Sequence, residues 1–236
     1  MTTTIAGPPR QREAFYESAQ RASLVRRALA EGVATAALTI AVILSARAIS
    51  LGALQPLALA LGVPATVAAL TLSFGPATGG HFNPLITAAQ WLRGRRDMRC
   101  VTAYVVAQLS GALAGAALAA LLVGPGSQAA PAPMGLVIGS EIFASSGLIT
   151  IALAGSLVMG PELGLLAVIG WLVMVNLAAP AGPFANPVLA LAASFALGAS
   201  DAPIILARVA AEIAGTLMAL LVITVTYPRR ARPETA

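Results

Sequence analysis

Few side chains here could do chemistry, and most of those stand inside apolar runs. Two asparagines precede proline: Asn83 in Gly79-Gly80-His81-Phe82-Asn83-Pro84-Leu85, and Asn186 in Gly182-Pro183-Phe184-Ala185-Asn186-Pro187-Val188. Asn caps free N–H groups at a helix start, and Pro fits the first helical position. The two turns predict short helices over 83–92 and 186–196. Capping uses the amide oxygen and leaves the N–H₂ group to donate to a passing oxygen. His81 is the only histidine, and Glu31 and Glu141 are carboxylates embedded in apolar segments. Ionisable groups in such places read by default as functional. There is no nucleophile–base set, no metal-ligand spacing and no Gly-rich phosphate loop, so neither an enzyme nor a cofactor is expected.

The elements that must carry these residues are membrane-spanning. Hydrophobic residues make up 58% of the chain and charged residues 10%, and the mean hydropathy is +0.86. A soluble domain needs far more polar surface. Apolar runs long enough to cross a bilayer predict six spans, at 28–48, 55–77, 100–123, 135–158, 163–181 and 204–227. The two short helices do not reach across. A helix that starts at mid-membrane depth is costly unless it lines a cavity. Two such starts predict a pore built from two half-helices.

All fourteen basic residues are Arg. Most fall in three clusters: Arg10 to Arg27, Arg93 to Arg99, and Arg229 to Arg232. With six spans the clusters share one side, which the positive-inside rule makes cytoplasmic, with both termini inside. Charges spread over membrane-flanking loops do not form a nucleic-acid patch, and anionic lipid headgroups are the plainer partner. The single cysteine, Cys100, permits no internal disulfide. Residues 1–25 are polar and lack the short apolar core of a cleaved signal. An interfacial helix over 9–27, anchored by Phe15 and Leu24, and a flexible tail are both open readings.

The chain reads as two related halves. Asn83 and Asn186 are 103 residues apart, Gln108-Leu109-Ser110-Gly111 and Glu212-Ile213-Ala214-Gly215 are 104 apart, and Glu31 and Glu141 are 110 apart. The expected division is a tail 1–26, a first repeat 27–124, a linker 125–133, a second repeat 134–228 and a tail 229–236. Three spans per half invert the second half, which gives an inverted repeat whose half-helices meet near the middle.

On the paired Asn-Pro turns, the Gly-Gly-His-Phe-Asn-Pro lead-in, the early glutamates and the span spacing, the chain resembles the major intrinsic proteins, the aquaporins and aquaglyceroporins. The resemblance covers about 27 to 227. It implies an all-α bundle of six tilted transmembrane helices plus two re-entrant half-helices, and a homotetramer with one pore per subunit, in a bacterial inner membrane. It implies that Glu31 and Glu141 hold the re-entrant loops through backbone N–H groups, and that His81 sits on the cytoplasmic side of the lumen. A fixed hydrogen-bonding role is favoured for His81 over a pH gate.

The pore chemistry follows from the half-helices. Their positive dipole ends converge on Asn83 and Asn186, repel cations and reorient waters. Extended segments Gly79, Gly80, His81, Phe82 and Gly182, Pro183, Phe184, Ala185 would offer a ladder of carbonyls. Glycine allows the backbone to approach closely there. Arg208 and Glu212, four apart, predict a helix-surface pair near the outer face.

Two departures from the family pattern matter. Ala usually follows each Asn-Pro, whereas here Leu85 and Val188 are larger and should reshape the midpoint. Arg usually stands three residues after the second Asn, whereas here it is Leu189. Carried over by spacing, the other filter positions fall on Val63, Met174 and Pro183, so the expected filter is wholly apolar. Asn176 could restore polarity if it faces inward. An apolar filter favours small, weakly hydrated neutral solutes. Relatives with altered motifs or filters conduct metalloid acids, so neutral metalloid species join polyol- and urea-like solutes and water as expected cargo. The alternatives are a gated or closed-pore structural protein, and a proton-coupled transporter.

Overall fold

The computed structural model describes residues 22–50, 55–124, 132–179, 181–197 and 201–227. The tails and most of the expected 125–133 linker lie outside them. Eight helices follow in order: α1 Leu24–Ser50, α2 Gln55–Thr78, α3 Pro84–Leu92, α4 Met98–Val123, α5 Met134–Met159, α6 Pro161–Ala178, α7 Pro187–Leu197 and α8 Ala202–Thr226. The short helices are α3 and α7. Among the described residues, five helices are long and apolar enough to cross a membrane. The expected span at 163–181 is the short one. It starts with Pro161 behind the N-cap Gly160 and ends at Ala178, where the C-cap Ala179 is already extended. Its 18 residues rise about 27 Å, close to a hydrocarbon core.

Local chemistry sets the boundaries. Asn83 is extended and its side-chain oxygen accepts from Leu85 N–H, with Pro84 in the first turn. Asp97 caps α4 through Cys100 N–H at 2.8 Å. Gly124 ends α4 with φ 68°, a conformation only glycine takes without strain.

Packing is inside-out relative to a soluble protein. Leu121 is 83% exposed while Glu31, Glu141 and Glu212 are fully buried. Large apolar side chains face outward, as a lipid solvent requires. Small residues let backbones meet inside. In each half the first helix lies against the last, α1 on α4 and α5 on α8. A Cβ on Gly111 would stand 2.0 Å from Gly32 carbonyl oxygen, and one on Gly215 would stand 2.6 Å from that of Ile142. Buried hydroxyls are satisfied locally: Thr35 donates to Glu31 O and Thr216 to Glu212 O, one turn back.

Candidate functional site

The two loops before α3 and α7 meet at their asparagines. Asn83 Nδ2 donates to Ala185 O at 2.8 Å, and Asn186 Nδ2 donates to Phe82 O at 2.9 Å. Each amide thus uses one hydrogen to hold the opposite loop and keeps one. The accepting residues, Phe82 at φ 48° and Ala185 at φ 49°, are the two non-glycine residues with positive φ among the described residues. L-residues adopt that region at a cost, and here it turns each carbonyl toward the facing asparagine. The lead-in segments are therefore not uniformly extended, since Gly79, Gly80 and Gly182 also have positive φ. Nor is the carbonyl ladder free: the oxygens of Phe82, Ala185 and Gly182 are bonded within the protein.

A buried carboxylate holds each loop. Glu31 accepts from His81 N–H at 3.0 Å, Phe82 N–H at 2.7 Å and Gln108 Nε2 at 2.8 Å. Glu141 accepts from Phe184 N–H at 3.1 Å and Ala185 N–H at 3.0 Å. Around the first loop, Thr87 Oγ1 donates to Asn83 O and lies 3.0 Å from His81 Nδ1. The same hydroxyl accepts from Gln108 Nε2 at 3.1 Å, which ties His81 to the residues around Glu31. Tyr104 packs edge-on to His81 at 5.4 Å and donates to Thr78 O at 2.6 Å.

The second loop is held differently. Arg208 is 8% exposed and Glu212 fully buried, so they form no surface pair. Arg208 bonds Glu141 on α5, Gly182 O at 3.3 Å and Ala181 O at 3.2 Å, while Glu212 accepts from Asn186 N–H at 3.0 Å. The loop's bare carbonyls and N–H groups outcompete an i,i+4 contact worth only a few tenths of a kcal/mol. Sequence reasoning missed Arg208 and Tyr104 as loop supports. The available signal was their shared 104-residue spacing, the same as that of Gln108 and Glu212.

Two cavities run past these loops. One, about 70 Å³, is bordered by Gly80, His81, Phe82, Asn83 and Asn186. The other, about 180 Å³, is bordered by Gly182, Pro183 and Asn176. A water needs roughly 10–15 Å³ measured this way, so each has room for several waters or one small solute. Both share Val63, Leu172, Phe184, Ala185 and Leu189, which form the ring between them. Among the described residues, no Asp, Glu or Arg lines either. Asn176 faces the second cavity and also donates to Leu172 O at 2.7 Å.

Four expected positions border neither cavity: Gly79, Met174, Leu85 and Val188. Met174 borders a separate space between the start of α5 and the end of α6, with Gly139 and Phe143. Leu172 stands where Met174 was expected. Leu85 is buried against Ile149 and Ile223, and Val188 against the cluster of Ala34 and Ala112. Both serve helix packing, and neither borders the two cavities.

Comparison with known proteins places the chain in a family. The family model described as Major intrinsic protein matches residues 18–235. The chain is 36% identical over 187 residues to Aquaglyceroporin AqpS of Rhizobium meliloti (strain 1021), covering 75% of this chain and 78% of that one. It is 38% identical over 69 residues to Glycerol uptake facilitator protein-like 6 of Lactiplantibacillus plantarum, covering 29% and 31%. The fold is similar to the X-ray structure of the aquaglyceroporin from Plasmodium falciparum, with TM-score 0.70 and 18% identity over 87% of this chain and 98% of that one. The chain belongs to the major intrinsic protein family. It is a membrane channel of the class that passes water or small solutes, and not an enzyme.

Proposed function

We propose that this channel passively conducts small uncharged solutes through an apolar constriction and excludes protons and ions. The observation that carries this reading is the ring of Val63, Leu172, Phe184, Ala185 and Leu189 between the two cavities, which has no charged member. A solute crossing it sheds hydration without a side-chain donor to replace it, which favours weakly hydrated neutral molecules. Beside the ring, the half-helix N-termini and the remaining amide hydrogens of Asn83 and Asn186 supply the positive potential that opposes cations and a proton wire. The names of the relatives point to glycerol-like cargo. Urea, neutral metalloid acids such as boric acid, and water belong to the same class. The reading includes an inverted repeat of 27–124 and 134–228, a homotetramer, a bacterial inner membrane and cytoplasmic termini.

Stopped-flow shrinkage and re-swelling of proteoliposomes tests it, with water, glycerol, urea and boric acid compared in wild type and Leu189→Arg. Fast solute re-swelling with modest water flux, reversed by Leu189→Arg, is expected. Water flux alone would replace the solute reading by a water channel. No flux from folded protein would leave a closed or structural protein.

A further inference from the structure

We propose that the Phe184 ring is the specificity-determining wall of the constriction, and that Arg208 is the positioning residue that fixes it from behind. The inference rests on the channel reading above and names what sets its cargo. Among the five residues shared by the two cavities, Phe184 is the largest and the only aromatic one. It stands on non-helical backbone, so no helix fixes its direction.

Other groups do. Phe184 N–H is held by both oxygens of Glu141 at 3.1 Å. The Arg208 guanidinium carbon lies 5.1 Å from the ring centroid, within cation–π range. The same guanidinium holds the carbonyls of Ala181 and Gly182 just ahead of the ring. Arg208 borders neither cavity, and Glu141 balances its charge. The cation therefore stays out of the lumen and orders a ring whose exposed part is apolar.

The first loop repeats the device. His81 stands two residues before Asn83 as Phe184 stands two before Asn186, and Tyr104 precedes Arg208 by 104 residues. Tyr104 packs on the His81 ring at 5.4 Å and binds Thr78 O, a carbonyl ahead of that loop. Each loop carries a planar side chain at the same place, backed from the third long helix of its half. The first ring is polar and the second is apolar, so discrimination by hydration falls at Phe184. The favoured cargo is a neutral solute with one apolar face, ahead of an equally large solute hydroxylated all round.

The test is the permeability ratio of 1,3-propanediol to glycerol in proteoliposomes, after subtraction of protein-free vesicles. Wild type should favour propanediol. Phe184→Ala should lower the ratio by about tenfold, the scale on which an apolar pocket discriminates. Arg208→Gln combined with Glu141→Gln removes both charges and leaves neither unpaired. It should lower the ratio in the same direction, and adding Phe184→Ala should change it little further, as for coupled residues. Arg208→Lys keeps a cation and should retain part of the preference. Phe184→Ala removes no buried charge and tests the ring without the Arg208 variants. A wild type that conducts both solutes, with a ratio that Phe184→Ala leaves unchanged, overturns the inference. An unchanged ratio in the Arg208–Glu141 double variant overturns the positioning role. A wild type that conducts neither solute nor water overturns the channel reading itself.

Discussion

Asn83 and Asn186 hold each other's loops: each donates its amide to the carbonyl of the residue just before the other, at 2.8 and 2.9 Å. The pairing is reciprocal, and each acceptor residue carries positive φ. The clasp offsets the strain of those two turns. Replacing Asn83 with Asp turns the donor into an acceptor that faces Ala185 O. Asn83→Asp or Asn186→Asp should cost about 1–3 kcal/mol, the range for a buried group left unsatisfied. Because the bonds share one junction, Asn83→Asp/Asn186→Asp should cost less than the sum of the two. Thermal unfolding in detergent measures this, and strict additivity would show two independent bonds.

The two loop-holding carboxylates should not be equivalent. Glu31 accepts from two backbone N–H groups and the neutral Gln108 amide. Glu141 also pairs with Arg208. Glu31→Gln weakens charge-assisted bonds and should cost about 1–3 kcal/mol. Glu141→Gln also leaves a buried guanidinium without its counter-charge and should cost about 3–5 kcal/mol. Adding Arg208→Gln to Glu141→Gln should restore part of the loss. Equal melting points for the two single variants would mean that the Arg208 pair is not structurally important.

The helices and the paired starts could be read from the chain because single residues set them. Asn followed by Pro specifies a helix start wherever it lies, and about twenty apolar residues specify a span whatever they pack against. The partners of Arg208 could not be read that way. Four-residue spacing shows which residues share a helix face, but not that the face meets a loop with bare carbonyls. The positive φ at Phe82 and Ala185 was hidden for a related reason. Nothing in a Phe or an Ala announces it, and the glycines nearby drew the expectation instead.

Close packing makes a symmetric prediction. Gly111 and Gly215 are 104 residues apart, and each lies on the last helix of its half, facing the first. An added Cβ would meet backbone oxygen at 2.0 Å and 2.6 Å respectively. Backbone cannot step aside as a side chain can, so Gly111→Ala and Gly215→Ala should destabilise by about 1–3 kcal/mol, as overpacking does. A Cβ on Gly139 meets nothing within 4 Å. Gly139→Ala should therefore be neutral or stabilise by up to about 1 kcal/mol, through helix propensity alone. A Gly139→Ala variant that melts as low as Gly111→Ala would place an unseen partner on that face.

Leu172 and Met174 decide how α6 meets the pore. Residues two apart on a helix point about 200° away from each other, so the two cannot line one lumen together. Counting back from Asn186 chose Met174 because it assumed a fixed loop length between α6 and α7. The helix ends at Ala178, and its rotation brings Leu172 to both cavities while Met174 faces the separate space beside Gly139 and Phe143. Enlarging the side chain at each position separates the two registers. Leu172→Phe should narrow the ring beside Phe184 and lower glycerol flux by about tenfold, the usual scale for a size change in an apolar pocket. Met174→Phe extends into that separate space and should lower flux by no more than about twofold, as expected for a change outside the ring. Proteoliposome re-swelling reads both variants directly, and a block by Met174→Phe with Leu172→Phe unaffected would reverse the helix register.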